Sequence, residues 1–116
     1  MAKEVKVVTA SEVEPRAMCK GATVRRLITK RREGSEKLML GIATFEPGCE
    51  EHEFAYPDKD EVYYVMKGTL EFQWEDKKID VHEGQAVFMP AGLRYREVNR
   101  TREPVVVVYT LTPPLE

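Results

Sequence analysis

PGCEEHEFAYPDKDEVYYVMKG, from Pro47 to Gly68, and GQAVFMPAGLRYREVN, from Gly84 to Asn99, are the stretches that decide how this sequence folds. Pro47-Gly48 is a turn dipeptide, because Pro presets φ at the first corner and Gly accepts a positive φ at the second. Beyond it, His52, Phe54 and Tyr56 fall on one face of an extended segment and Glu51, Glu53 and Ala55 on the other, so the aromatic face is expected inside. PDKD makes the next turn. In EVYYVMK, Glu61, Tyr63 and Val65 share one face while Val62, Tyr64 and Met66 share the other, and both faces read as covered. Pro90-Ala91-Gly92 is a further tight turn, after which Leu93, Tyr95 and Glu97 share a face.

Outward from these stretches the same alternation continues. KEVKVVT, at 3–9, reads as an N-terminal strand, and the segment after it has room for one helical turn, since Pro15 and Gly21 allow no long helix. TVRRLIT and LMLGIATF read as strands joined by the charged turn REGSEK. TLEFQWE alternates Leu70, Phe72 and Trp74 with Glu71, Gln73 and Glu75, and KKIDVH follows as its hairpin partner. VVVVYTL, near the end, is a β-branched run suited to a buried strand. Nine or ten short strands with Gly or Pro turns between them predict an all-β antiparallel barrel or jelly roll.

The first stretch resembles the first cupin motif, G-x5-H-x-H-x4-E-x6-G, with Gly48, Glu61 and Gly68 in register. The second resembles the second cupin motif, G-x5-P-x-G-x2-H-x3-N, through Gly84, Pro90, Gly92 and Asn99. This resemblance implies a double-stranded β-helix, the RmlC-like jelly roll. It implies a single cupin domain over 1–116, with the core barrel at about 23–112 and the N-terminal strand at 3–9. In the family, three histidines and a glutamate converge in the barrel mouth on a divalent metal. Here the three histidine positions hold Phe54, Tyr56 and Tyr95, and of the four usual ligands only Glu61 is kept. The GLRYRE segment is similar to small cupins related to ethanolamine-utilisation proteins.

Length and charge bound the partners. A chain of 116 residues fits one domain, and a formal net charge of −2 with interspersed signs offers no face for nucleic acid. No stretch has the length or hydropathy of a membrane span, so a cytoplasmic protein is expected, without membrane or nucleic-acid partners. Cys19 and Cys49 belong to no metal or disulfide pattern. Small cupins commonly pair through sheet edges, and 3–9 would supply one, so a homodimer is expected.

Glu61, Tyr56 and Tyr95 are the candidate catalytic residues. An inward carboxylate must meet a cation or hydrogen-bond donors, and the resemblance places the two phenols where histidines would face it. His52, Phe54, Tyr63 and Phe72 are candidate ligand-binding residues. No metal or other cofactor is expected, since phenols bind only as phenolates to hard ions. The alternative is a divalent or ferric ion held by His52 and Glu61. His82 reads as an ordinary histidine at a strand end, and Arg94 and Arg96 as solvated charge. Three functions stay open: binding of a small polar organic ligand without the usual metal, an isomerase or lyase in which Glu61 and tyrosines transfer protons, or a non-catalytic structural or regulatory dimer.

Overall fold

In the computed structural model of the protein, which describes residues 3–51 and 53–116, the alternating segments become nine antiparallel strands. These are β1 (Arg16–Cys19), β2 (Ala22–Ile28), β3 (Met39–Phe45), β4 (Asp60–Lys67), β5 (Thr69–Trp74), β6 (Lys77–His82), β7 (Ala86–Met89), β8 (Arg96–Val98) and β9 (Val105–Thr112). Six form one sheet in the order β1-β2-β3-β9-β4-β7, and three form another in the order β6-β5-β8. The fold is thus an all-β jelly roll, as the motifs predict. β3 and β9 alternate buried and half-buried residues without a break, and their inner faces meet those of β4 and β5 in a core of Met39, Phe45, Val65, Leu70, Phe72 and Val107.

The two motifs build the connections. Gly68 takes φ 88° between β4 and β5, and a Cβ there would meet Val105 Cγ2 at 3.0 Å, so both the turn and the close approach require glycine. Asn99 is fully buried and ties the motifs together. Its amide nitrogen donates to the carbonyls of Phe45 and Glu103, both at 2.9 Å, and its backbone carbonyl accepts from Gly48 N at 2.9 Å.

Four local expectations are corrected. The segment 3–9 forms no strand: it pairs with none of the nine strands, and Val5 and Val7 are 95% and 88% exposed. β1 pairs with β2 where only a turn was expected, after a single 3-10 turn at Ala10–Glu12. The outer face of β4 is uncovered, with Val62, Tyr64 and Met66 each more than two-fifths exposed. Finally, the described residues from Glu50 to Tyr56 form no strand; isolated bridges join Glu50 to Val98 and Phe54 to Tyr95, and Gly92 N donates to the Tyr56 carbonyl at 2.8 Å. Without a continuous ladder the alternation of faces is not kept, and Glu51 turns inward, 8% exposed. Among the described residues no helix is long and apolar enough to cross a membrane.

Candidate functional site

The inner faces of β2, β3, β9 and β4 line an open-mouthed cavity of about 560 Å³, bordered on the remaining side by β1 and by Glu51, Phe54, Ala55 and Tyr56. Alternation selects its walls. Glu61 and Tyr63 are two residues apart on β4 and both face inward, and the register sets Tyr63 opposite Tyr109 and Glu61 opposite Leu111. Phe54 and Tyr56 enter from the 50–56 stretch with their rings edge to face, centroids 5.5 Å apart.

Glu61 is 5% exposed, and Tyr95 donates a short hydrogen bond to its Oε1. The Tyr95 oxygen lies 2.6 Å from the Tyr63 hydroxyl, so the carboxyl and two phenols form one chain. Burial pushes the Glu61 pKa up to about 7, against the hydrogen bonds from Tyr95 and Tyr63, which favour the charged form. Burial, and the Glu61 charge after it, push the Tyr56 hydroxyl up to about 12. Burial also raises Tyr95 and Tyr63 far above the ordinary phenol range, so both are donors at any physiological pH.

Of the expected site residues, Glu61, Tyr56, Tyr63 and Phe54 come together on the cavity wall. Tyr95 does not reach the wall; it touches the cavity through Glu61, from behind. Phe72 lies deeper, fully buried against Tyr63 with ring centroids 5.2 Å apart, and belongs to the core. His52 lies outside the described residues.

Two carboxyl groups, Glu51 and Glu97, join the site beyond those expected. Glu97, on β8, is fully buried, lines the cavity, and neither carboxyl oxygen has a well-formed hydrogen bond. Burial, then the neighbouring Glu51 charge, raise its pKa well above the carboxylate range and favour its protonated form. Glu97 shares its face with Tyr95, and that parity was the available signal; its charge argued for the surface.

A gap in β3 shapes the opposite wall. A Cβ on Gly41 would lie 2.4 Å from Tyr109 Cζ, so the Tyr109 ring occupies the space where a side chain would be. A mid-strand glycine often marks such an approach. Gly41→Ala is expected to displace the ring and cost about 1–3 kcal/mol, read as a lower melting temperature together with changed tyrosine near-UV dichroism. An unchanged near-UV spectrum would remove this role for Gly41.

The metal implied by the motifs meets an ill-suited donor set. Phe54 has no donor atom, Tyr56 and Tyr95 hold their protons, and Glu61 is occupied by Tyr95. Among the described residues, no group of three His, Cys, Asp or Glu side chains has the geometry of an ion site. These residues do not fit a divalent ion.

Comparison with known proteins gives the following. Residues 41–111 match the Cupin_2 profile, the cupin domain. The chain is 29% identical over 108 residues to the polyketide synthase CurC of Streptomyces cyaneus, covering 93% of this chain and 70% of that protein. It superposes on the structure of KdgF from Halomonas sp. with a TM-score of 0.84 at 17% identity, covering 97% of each chain. The polyketide cyclase RemF of Streptomyces resistomycificus also superposes with a TM-score of 0.84, at 20% identity, over 96% of this chain and 83% of that one.

Proposed function

We propose, since the chain belongs to the cupin domain family and its cavity ends on a buried carboxyl, that it binds a small carbonyl compound and moves a proton at the carbon beside the carbonyl. The observation that carries this is Glu61: a cavity-wall carboxyl with pKa near 7, oriented by Tyr95. A base poised near the working pH transfers protons most effectively. As carboxylate, Glu61 takes the proton, and Tyr56, on the same wall and protonated, donates a hydrogen bond to the enolate oxygen. Tyr95 positions Glu61 and stabilises its charged form. Phe54 and Tyr63 supply the apolar contact that holds the ligand's carbon skeleton. The likeness to proteins named for polyketide synthesis and cyclisation supports this reading, because polyketides are chains of carbonyl groups with acidic carbons between them.

The test is deuterium uptake beside the ketone of levulinate methyl ester, followed by proton NMR in heavy water. Catalysed uptake above buffer supports the reading. Binding of the ester without uptake leaves a binding protein only.

The reading needs no metal. Protein purified without chelator or metal resin is expected to carry far less than one equivalent of transition metal by elemental analysis. A full equivalent that is lost in His52→Ala would instead place an ion at His52 and Glu61. The reading also takes the protein to work in the cytoplasm, in keeping with free Cys19 and Cys49. Its assembly is a homodimer, supported by the uncovered Val62, Tyr64 and Met66 face, which continues onto Phe88 of β7, and by the unpaired 3–9 segment. Light scattering at micromolar concentration is expected to give twice the mass of one chain; the mass of one chain would remove the dimer.

A further inference from the structure

Arg16 and Arg26 line the cavity on the side away from Glu61's strand, and the proton-transfer reading gives them no task. Arg16 stands opposite Val24 in the β1–β2 register, and Arg26 is two residues along from Val24, so the two side chains leave the same face as diagonal neighbours. One carboxylate oxygen sits between them. Glu116 Oε1 lies 2.9 Å from Arg16 Nη1 and 2.5 Å from Arg26 Nη1. The pair therefore accepts a carboxylate in this geometry, and it has capacity left over: the Arg26 guanidinium also hydrogen-bonds the Tyr109 hydroxyl, yet its buried Nε has no well-formed acceptor. A buried donor beside a cavity and without an acceptor is costly, and a ligand atom can relieve that cost.

The sheet connects Arg26 to Tyr63, two residues along β4 from Glu61. Arg26 pairs with Gly41, Gly41 with Tyr109, and Tyr109 with Tyr63, a single row across four strands. Because Gly41 has no side chain, the Tyr109 ring lies across β3 between the guanidinium and the carboxyl end of the cavity. Three strand spacings, roughly 14 Å between backbones, separate β2 from β4. Within that interval the Tyr56 and Tyr109 hydroxyls each feel both the Arg26 and the Glu61 charge, so the two groups lie within the span of a small acyclic molecule. Charge is divided along the same line, with two guanidinium groups and the Glu116 carboxylate at the outer end and the Glu61 and Glu51 carboxyls, beside proton-holding Glu97, at the inner end.

We infer that Arg26 and Arg16 bind the carboxylate of an oxo acid whose carbonyl reaches Glu61, with Glu116 yielding its place to the ligand. The position of the carbonyl rests on the proton-transfer reading; the position of the carboxylate does not. Like charge turns the ligand's acid end away from Glu61 and toward the arginines, so the ketone is the end presented to the base.

Titration calorimetry at neutral pH with levulinate, its homologue one methylene longer, and the methyl esters of both tests this. An acid is expected to bind about tenfold more tightly than its ester, as a charge-assisted contact to arginine implies. That ratio is expected to fall toward one in Arg26→Gln and to rise in Glu116→Gln, where the competing carboxylate is gone. Arg16→Gln, at a half-exposed position, reads out the same ratio should Arg26→Gln fail to fold. Equal binding of acid and ester, no binding of either acid, or an acid preference that survives both arginine substitutions would overturn the inference. The pair would then be a latch for the 113–116 segment. Deuterium uptake separates the two readings. Acid-selective binding without uptake keeps the arginine site and removes the proton transfer, whereas uptake into acid and ester alike at equal affinity does the reverse.

Discussion

The melting temperature is expected to fall, by on the order of 10 °C, as pH rises from 4.5 to about 7.5. Most small proteins are at their most stable within that interval. Glu61 has its pKa raised from 4.5 to about 7 by burial, so across this range the folded protein keeps a proton that the unfolded chain has released. Its stabilisation is complete below pH 4.5 and is lost as pH climbs through 7. A shift of this size corresponds to about 3 kcal/mol. Glu97, also pushed up by burial, acts in the same direction. Below pH 4.5 the sign reverses, since the Arg26 guanidinium holds Glu116 below the usual carboxylate range and acid removes that charge. Stability should therefore peak near pH 4.5–5. Glu61→Gln and Glu97→Gln keep the shape of each side chain and remove its titration, so each should flatten the decline. A melting temperature that rises or stays level from pH 4.5 to 7.5 in the wild type would mean that neither carboxyl holds its proton in the folded state.

Loss of deuterium uptake by a factor of a hundred or more is expected in Glu61→Gln, the usual range for removing a general base. The amide still accepts from Tyr95 and fills the same volume, so ligand binding and melting temperature at neutral pH should be kept or improved while exchange disappears. In the wild type, the exchange rate should rise with pH around a midpoint near 7, where Glu61 becomes a carboxylate. Tyr95→Phe separates positioning from proton transfer. It removes a hydrogen bond that favours the charged form, so the midpoint should move upward and the rate at neutral pH should drop only in part. A Tyr95→Phe profile with an unmoved midpoint would show that Tyr95 does not set the basicity of Glu61.

The barrel was legible because its turns are written in residues with few alternatives. Gly68 needs both a positive φ and bare space, and Asn99 is the side chain that fastens Gly48's turn to the end of the second motif. Alternation along β4 likewise brought Glu61 and Tyr63 to one wall. Where the chain leaves a continuous ladder, alternation fails, and Glu51 faced the cavity against its parity. Glu97 had the right parity and the wrong polarity for a core position. TVRRLIT reads as a strand with no role for Arg26, and only the register shows that it shares a row with Gly41 and Tyr109. The uncovered outer face of β4 could not be read at all. A strand with two apolar faces looks the same whether its second layer belongs to its own chain or to another.

The position of β9 bears on how the polypeptide reaches this arrangement. It is the last of the nine strands to leave the ribosome, yet it lies between β3 and β4 and pairs with both along nearly its whole length. Until it emerges, two apolar strands have open edges facing one another across an empty lane. Pairing Met39 with Leu111 then closes a loop spanning most of the sequence. Search over so long a loop is slow, and the waiting edges are templates for any other unfinished chain. During synthesis, the nascent protein depends on β9 arriving before a neighbouring polypeptide fills the lane.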